Sequence, residues 1–264
     1  MTKTRVAVHK FSSCDGCQLA FLNLGPDLLT ITDTLDIKHF AEAGYLDESA
    51  DVDIAFIEGS ISTPQEAKRI TQIRQHSRYL ITIGACATSG GIQALRNINN
   101  AQQWVAAIYP KPEYINSLTT VSPIAEHVQV DFELWGCPVN SQQVLTAIRS
   151  LLLGVTPRDN TEKVCMECKR QQTVCTLVTQ AEPCLGPVTR AGCGAICPSF
   201  GRACYACYGP SVDSNTISLA NRLAGMGLQP DEIARHFQLF NNNAPTFRNI
   251  AINVMTTNIT GQKQ

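Results

Sequence analysis

The chain lacks a charge excess of either sign, with 21 lysines and arginines against 22 aspartates and glutamates and a net charge of −1 over 264 residues. Nucleic acid and an anionic membrane surface would both call for a basic footprint, so neither partner is expected. No segment approaches the roughly 18 uninterrupted apolar residues of a membrane span, so no membrane insertion is expected. The first residues run from Lys3 into the alternating segment Arg5-Val-Ala-Val-His-Lys10 without the apolar run and small-residue cleavage site of an export signal. That predicts a cytoplasmic protein. A Gly-x-Gly-x-x-Gly fingerprint is also missing, which places any dinucleotide acceptor site outside this chain. There is no internal repeat of fixed period.

What the chain has in quantity is cysteine. Twelve cysteines sit in a sequence that is 44% hydrophobic and long enough for one large domain or two small ones. An even number permits six disulfides, but a reducing cytosol argues against them, and disulfide-stapled scaffolds are far smaller. Ordinary buried thiols account for scattered cysteines, not for eight within the 43 residues from Cys165 to Cys207. Metal binding is the leading reading.

Strand-like and helix-like stretches alternate through the first part. Arg5 to Lys10, Ile37 to Phe40, Asp53 to Ile57, Tyr79 to Ile83 and Val130 to Trp135 read as strands. Helices are predicted over Gln18 to Leu29, which Gly25-Pro26 bends or breaks, over Pro64 to Arg74 with proline in its first turn, and over Ser141 to Leu153, ending at Gly154. This succession implies an α/β domain of flavodoxin-like type, a doubly wound parallel sheet flanked by helices. After the polar, proline-bearing stretch Val155 to Glu162 the composition shifts to cysteine, glycine and proline, which sets the domains at 1–158 and 159–264. From Val164 to Pro210 no helical or strand period is sustained, so metal ligation is expected to substitute for a hydrophobic core there. Helical patterning returns over Ile217 to Met226 and Pro230 to Phe240, and these helices are expected to cover the cysteine-rich region.

One group of cysteines is dispersed. Cys14 and Cys17, Cys86 in Gly84-Ala-Cys-Ala-Thr-Ser-Gly-Gly91, and Cys137 in Gly136-Cys-Pro138 each follow the C-terminal end of a predicted strand. In an open parallel sheet those ends share one edge, where ligand sites form. Glu58 ends another strand at the same edge. Alone, Cys14-x-x-Cys17 would fit a dithiol redox pair, but convergence of four thiols favours a metal cluster. The neighbouring glycines let backbone amides approach cluster sulfurs. Two local groups follow: Cys165, Cys168, Cys175 and Cys184, then Cys193, Cys197, Cys204 and Cys207. Four thiolates suit tetrahedral zinc as well as a cubane cluster. The packed short spacings and the matching dispersed set favour iron and sulfur. Sequence order leaves the ownership of the later eight open, because ferredoxins interleave ligands between clusters.

Cys14-x-Gly-Cys17, Ile57-Glu-Gly-Ser-Ile61, Gly84 to Gly91, Gly136-Cys-Pro138 and Pro183-Cys-Leu-Gly-Pro-Val-Thr-Arg-Ala-Gly-Cys193 together resemble the small subunits of nickel-iron hydrogenases, in particular the cytoplasmic, NADP-linked sulfhydrogenase type. The resemblance runs from Val6 to about Phe240. It implies three 4Fe-4S clusters: a proximal one on Cys14, Cys17, Cys86 and Cys137, a distal one on Cys165, Cys168, Cys175 and Cys184, and a medial one on Cys193, Cys197, Cys204 and Cys207. It further implies electron relay between the nickel-iron centre of a separate large subunit and flavin- and NAD(P)-binding and iron-sulfur diaphorase subunits, with no catalytic residue in this chain. The periplasmic branch of that family has a histidine where this chain has Cys165 and a proline where it has Cys197, so all three clusters are expected to be cubanes here. Val139 stands where a second proline is common; valine adds no competing ligand. A related quinone-oxidoreductase subunit has adjacent cysteines in place of Cys14-x-x-Cys17 and lacks the later eight.

Two readings stand for Glu58: a group that hydrogen-bonds behind the proximal cluster or passes protons, or a strand-end carboxylate satisfied by loop amides. His9 is placed near the end of the first strand, close to the cluster or simply a satisfied or solvated side chain. His39, His76, His127 and His236 lack ligand spacing and read as structural.

Overall fold

The structure is a computed structural model and describes residues 3–256. The chain divides into two compact units between Arg158 and Asp159. In the first, the strands are β1 (Thr4–Lys10), β2 (Leu35–Phe40), β3 (Tyr45–Leu46), β4 (Val52–Glu58), β5 (Ser77–Ile83) and β6 (Phe132–Leu134). The helices are α1 (Gly16–Leu22), α2 (Pro26–Thr32), α3 (Pro64–Gln75), α4 (Gly84–Ser89), α5 (Ala101–Ile108) and α6 (Ser141–Leu152).

These strands form one sheet in the order β3-β2-β1-β4-β5-β6. All neighbours are parallel except β2 and β3, a short antiparallel edge that the sequence pattern did not show. The parallel strands alone follow the doubly wound flavodoxin-like order, with the switch point between β1 and β4. Alternation sends successive side chains to opposite faces. Val6, Val8, Ile54 and Phe56 pack with Phe21 of α1, Ile31 of α2 and Leu145 and Ile148 of α6. Ala7, Ala55 and Ile57 pack with Ile70 and Ile73 of α3 on the other face. Burying a side chain such as Phe56, which is 0% exposed, contributes about 2–3 kcal/mol.

The helix expected over 18–29 is broken in two. Gly25 adopts φ 56°, which only glycine takes without strain, and Pro26 opens α2 with the φ its ring already has. At α3 a capping box holds the start: Thr63 Oγ1 accepts the Glu66 N–H at 3.2 Å, and Glu66 Oε2 accepts the Thr63 N–H at 3.0 Å. The short α4 and the exposed α5, none of whose residues is buried, lacked a usable period.

The second unit holds α7 (Val164–Arg170), α8 (Thr176–Thr179), α9 (Ile196–Ser199), α10 (Thr216–Ala224), α11 (Pro230–Gln238) and α12 (Pro245–Thr256). The stretch expected to lack regular structure thus contains α7, α8 and α9, each too short to display a period. α12 was not anticipated, although Phe247, Ile250, Ala251 and Val254 are spaced as one helical face. Leu223, Phe237 and Phe247 of the last three helices pack against Leu185, Val188 and Ala206 of the cysteine-rich segment.

Candidate metal centres

Three connections at the carboxyl edge of the sheet, after β1, β5 and β6, bring the four dispersed cysteines together. Cys14 lies in the loop after β1, Cys17 in the first turn of α1, Cys86 in the first turn of α4 after β5, and Cys137 in the loop after β6. The Ala85 N–H donates to the Gly136 carbonyl at 2.7 Å, tying α4 to the Cys137 loop. Cys17 feels the charges of Cys86 and Cys137, and Cys86 those of Cys137 and Cys14, so the sulfurs form one electrostatic group. Burial pushes the Cys17 thiol far up and the Cys86 thiol up to about 12, while N–H donors from Val139 and Ile92 pull these back. N–H groups that stabilise a thiolate in this way are the donors an iron-sulfur cluster requires.

Glycine makes the cradle. A Cβ on Gly84, whose φ is +84°, would stand 2.3 Å from Cys17 Sγ, and one on Gly91 2.6 Å from Cys86 Sγ. A side chain at either position would occupy the space beside a sulfur. The donor set is all thiol, and these residues fit an iron-sulfur cluster.

Glu58, at the end of β4, is 1% exposed. Its Oε1 accepts the Cys17 N–H at 2.9 Å and its Oε2 accepts from Gln18 Nε2 at 2.9 Å. Asp15 precedes α1 in a left-handed conformation and gives no side-chain cap, so Glu58 satisfies the helix start from another strand. Burial raises its carboxyl above the usual range, and the bonds from Gln18 and Cys17 oppose that rise. The partners of Glu58 are thus a helix-start amide and a side-chain amide rather than loop amides, and the first belongs to a candidate ligand. Gln18, 0% exposed, was missed by sequence reasoning despite adjoining Cys17.

His9 is not solvated. It is buried and stacked on His39, ring centroids 4.6 Å apart, on the α3 side of the sheet. Burial, then His39 and Arg69, lower its pKa to about 3.

In the second unit Cys165, Cys168, Cys175 and Cys184 line one largely apolar cavity with Val174, Leu177 and Pro187. Burial raises Cys165, and raises Cys168 to about 11, with Cys175 and Cys184 adding to both. Cys193 interacts with Cys197, and Cys204, the more buried, with Cys207 and Cys184. The two groups touch: Cys184 Sγ accepts the Cys204 N–H at 3.2 Å, and Cys168 feels Cys193. Among the described residues no three His, Cys, Asp or Glu side chains close on one point as a single metal ion requires. A polynuclear centre uses a wider ring, since its thiolates bind different metal atoms.

The family model of the NADH ubiquinone oxidoreductase 20 Kd subunit matches residues 14–151, which include the first four cysteines and stop before the other eight. A solved NAD+-reducing [NiFe]-hydrogenase in the H2-reduced state is similar with a TM-score of 0.55 and 26% identity, covering 60% of this chain and 95% of that one. Sulfhydrogenase 2 subunit delta of Pyrococcus furiosus is 33% identical over 236 residues, 89% of this chain and 98% of the relative. The chain belongs to the nickel-iron hydrogenase small-subunit family. Another relative of this hydrogenase subunit, from the F420-non-reducing hydrogenase of Methanococcus voltae, is 32% identical over 270 residues, 90% of this chain and 94% of the relative. A hydrogenase small subunit pairs with a large subunit, which holds the nickel-iron site where hydrogen reacts, and itself serves electron transfer through iron-sulfur centres. Among the described residues no helix is long and apolar enough to cross a membrane.

Proposed function

We propose that this subunit holds three 4Fe-4S clusters and relays electrons, in the cytoplasm, between the nickel-iron centre of its large subunit and flavin- and NAD(P)-binding and iron-sulfur diaphorase subunits. The observation that carries this reading is the convergence of Cys14, Cys17, Cys86 and Cys137 on one sheet edge of the first unit; the second unit separately carries two further sets of four thiols. The likeness to an NAD+-reducing hydrogenase supports the choice of nicotinamide as acceptor. Twelve free thiols suit a reducing compartment.

In this reading residues 1–158 hold the proximal cluster on Cys14, Cys17, Cys86 and Cys137. Residues 159–264 hold the distal cluster on Cys165, Cys168, Cys175 and Cys184 and the medial one on Cys193, Cys197, Cys204 and Cys207. A bound 4Fe-4S cluster supplies one-electron storage and transfer. The chain's own residues do the rest. Thiolates anchor, the Val139 and Ile92 amides stabilise charge on sulfur, and Val174, Leu177 and Pro187 give the distal set apolar walls. Glu58 holds the Cys17 turn in place.

The test is iron and acid-labile sulfide per chain on anaerobically purified complex, with electron paramagnetic resonance of the reduced sample. About twelve of each and three reduced cubane signals are expected. A few zinc ions without sulfide would overturn the reading. So would normal hydrogen-dependent NADP reduction by a Cys17→Ser variant.

A further inference from the structure

Glu167 stands between Cys165 and Cys168 on α7, yet its carboxylate serves the loop of the other local cysteine group. Oε1 accepts the N–H groups of Gly192 at 2.8 Å and Gly194 at 3.2 Å, and Oε2 accepts that of Ala195 at 3.1 Å. Oε2 also lies 3.8 Å from Cys193 Sγ. The loop is bent for this purpose: Gly194 and Ala195 take φ values of 67° and 49°, turning their amides toward one point. A left-handed alanine is uncommon, and here its N–H finds the carboxylate.

Glu167 is not an ordinary surface carboxylate paired with a nearby base. The adjacent Arg170 is engaged by Glu162 at 2.6 Å. One turn beyond Glu167, Gln171 completes a clamp: its Nε2 donates to the Gly194 carbonyl at 2.7 Å and its Oε1 accepts from Ser199 Oγ at 2.7 Å. Helix α7, which carries two cysteines of one group, thereby grips the Cys193–Cys197 loop of the other at its amides and at a carbonyl.

We propose that Glu167 is a positioning residue that holds the Cys193 loop against α7 and, through its negative charge, lowers the reduction potential of the centre to which Cys193 and Cys197 belong. This rests on the reading of both groups as iron-sulfur ligands. Two effects act in one direction. A carboxylate beside Cys193 opposes the arrival of an electron, and it competes with Cys193 Sγ for the Ala195 N–H, which acts on both. Hydrogen bonds to sulfur and nearby charge are the levers a protein has on such a potential. Removing the charge while keeping the shape releases that amide to the sulfur, so both effects shift the potential upward.

The experiment is a redox titration followed by electron paramagnetic resonance on anaerobically purified complex, with iron and sulfide counted in the same samples. In Glu167→Gln the iron content is expected to stay at the wild-type value. One reduced signal should move to a more positive potential, its reduced-to-oxidised ratio rising about tenfold at fixed potential, or about 59 mV for a one-electron couple. The other signals should stay in place. Glu167→Asp, which keeps the charge, should titrate near wild type, and Glu167→Ala should lose about a third of its iron and sulfide. Unmoved potentials in an iron-replete Glu167→Gln complex would overturn the inference about Glu167 alone. Wild-type complex without iron and sulfide would overturn the reading beneath it as well.

Discussion

Glu58 Oε1 accepts the Cys17 N–H at 2.9 Å across 41 residues of sequence, so the end of β4 holds the turn that presents a candidate ligand from the β1 loop. Truncation in Glu58→Ala strands the buried Cys17 N–H and the Gln18 amide, at a cost of about 2–6 kcal/mol for two unsatisfied groups. Gln18 Oε1 has no hydrogen-bond partner among the described residues. In Glu58→Gln a flipped Gln18 amide can therefore receive the new donor, and this variant should lose less. Urea unfolding of the two variants checks the order; equal losses would contradict it.

Gly84→Ala should empty the first centre selectively. Its Cβ would meet Cys17 Sγ at 2.3 Å with φ already at +84°, so the sulfur must move. Iron and sulfide should fall by about a third, because only one of three cubanes is touched. Gly154→Ala, with φ +70° but nothing within 4 Å, isolates the backbone strain; it should keep its iron and lose about 1 kcal/mol of stability. Full iron content in Gly84→Ala would refute the cradle.

His9 makes the fold sensitive to acid. Its folded pKa of about 3 lies below the ordinary 6.5, under the influence of burial, His39 and Arg69, while Glu48 Oε1 lies 4.0 Å from His39 Nε2. As pH falls below about 6.5 the unfolded chain takes up a proton that folded His9 refuses, so stability drops by about 1.4 kcal/mol per pH unit toward pH 3. The His9→Gln variant should show a shallower loss between pH 7 and 5 in urea unfolding, whatever its stability at pH 7. Parallel curves for the two proteins would rule this out.

Phe237→Ala should loosen the second unit. Phe237 is 1% exposed and its ring centroid lies 5.6 Å from that of Phe247, in the cluster that supports Leu185 and Ala206. A loss of about 3–5 kcal/mol is expected from the cavity. Faster iron release than wild type under mild denaturant is the readout, and an unchanged rate would count against support of the cysteine segment by these helices.

Much of the first unit is legible locally. Val6 and Val8, and Ile54 and Phe56, alternate with residues of the opposite face, and Pro64 marks the start of α3, because strand period and helix capping act over a few neighbours. The edge pairing of Tyr45 and Leu46 with β2 was hidden, since two residues carry no period. α7 was hidden for the same reason. α12 was available in the spacing of Phe247, Ile250, Ala251 and Val254 and went unread in a segment dominated by Asn and Thr.

The cysteines themselves, their number and their grouping are properties of the sequence, because ligand chemistry depends on residue type and short spacing. So is the doubly wound parallel type of the sheet, which alternating strands and helices favour. What only the tertiary structure decided is which distant groups meet: Glu58 under the Cys17 turn, His9 against His39, Gly84 beside a sulfur from another connection, and Glu167 in the amides of the Cys193 loop. Each of these contacts joins residues far apart in the chain. Local propensity is blind to such pairs, since their meeting depends on how the whole chain buries its apolar faces.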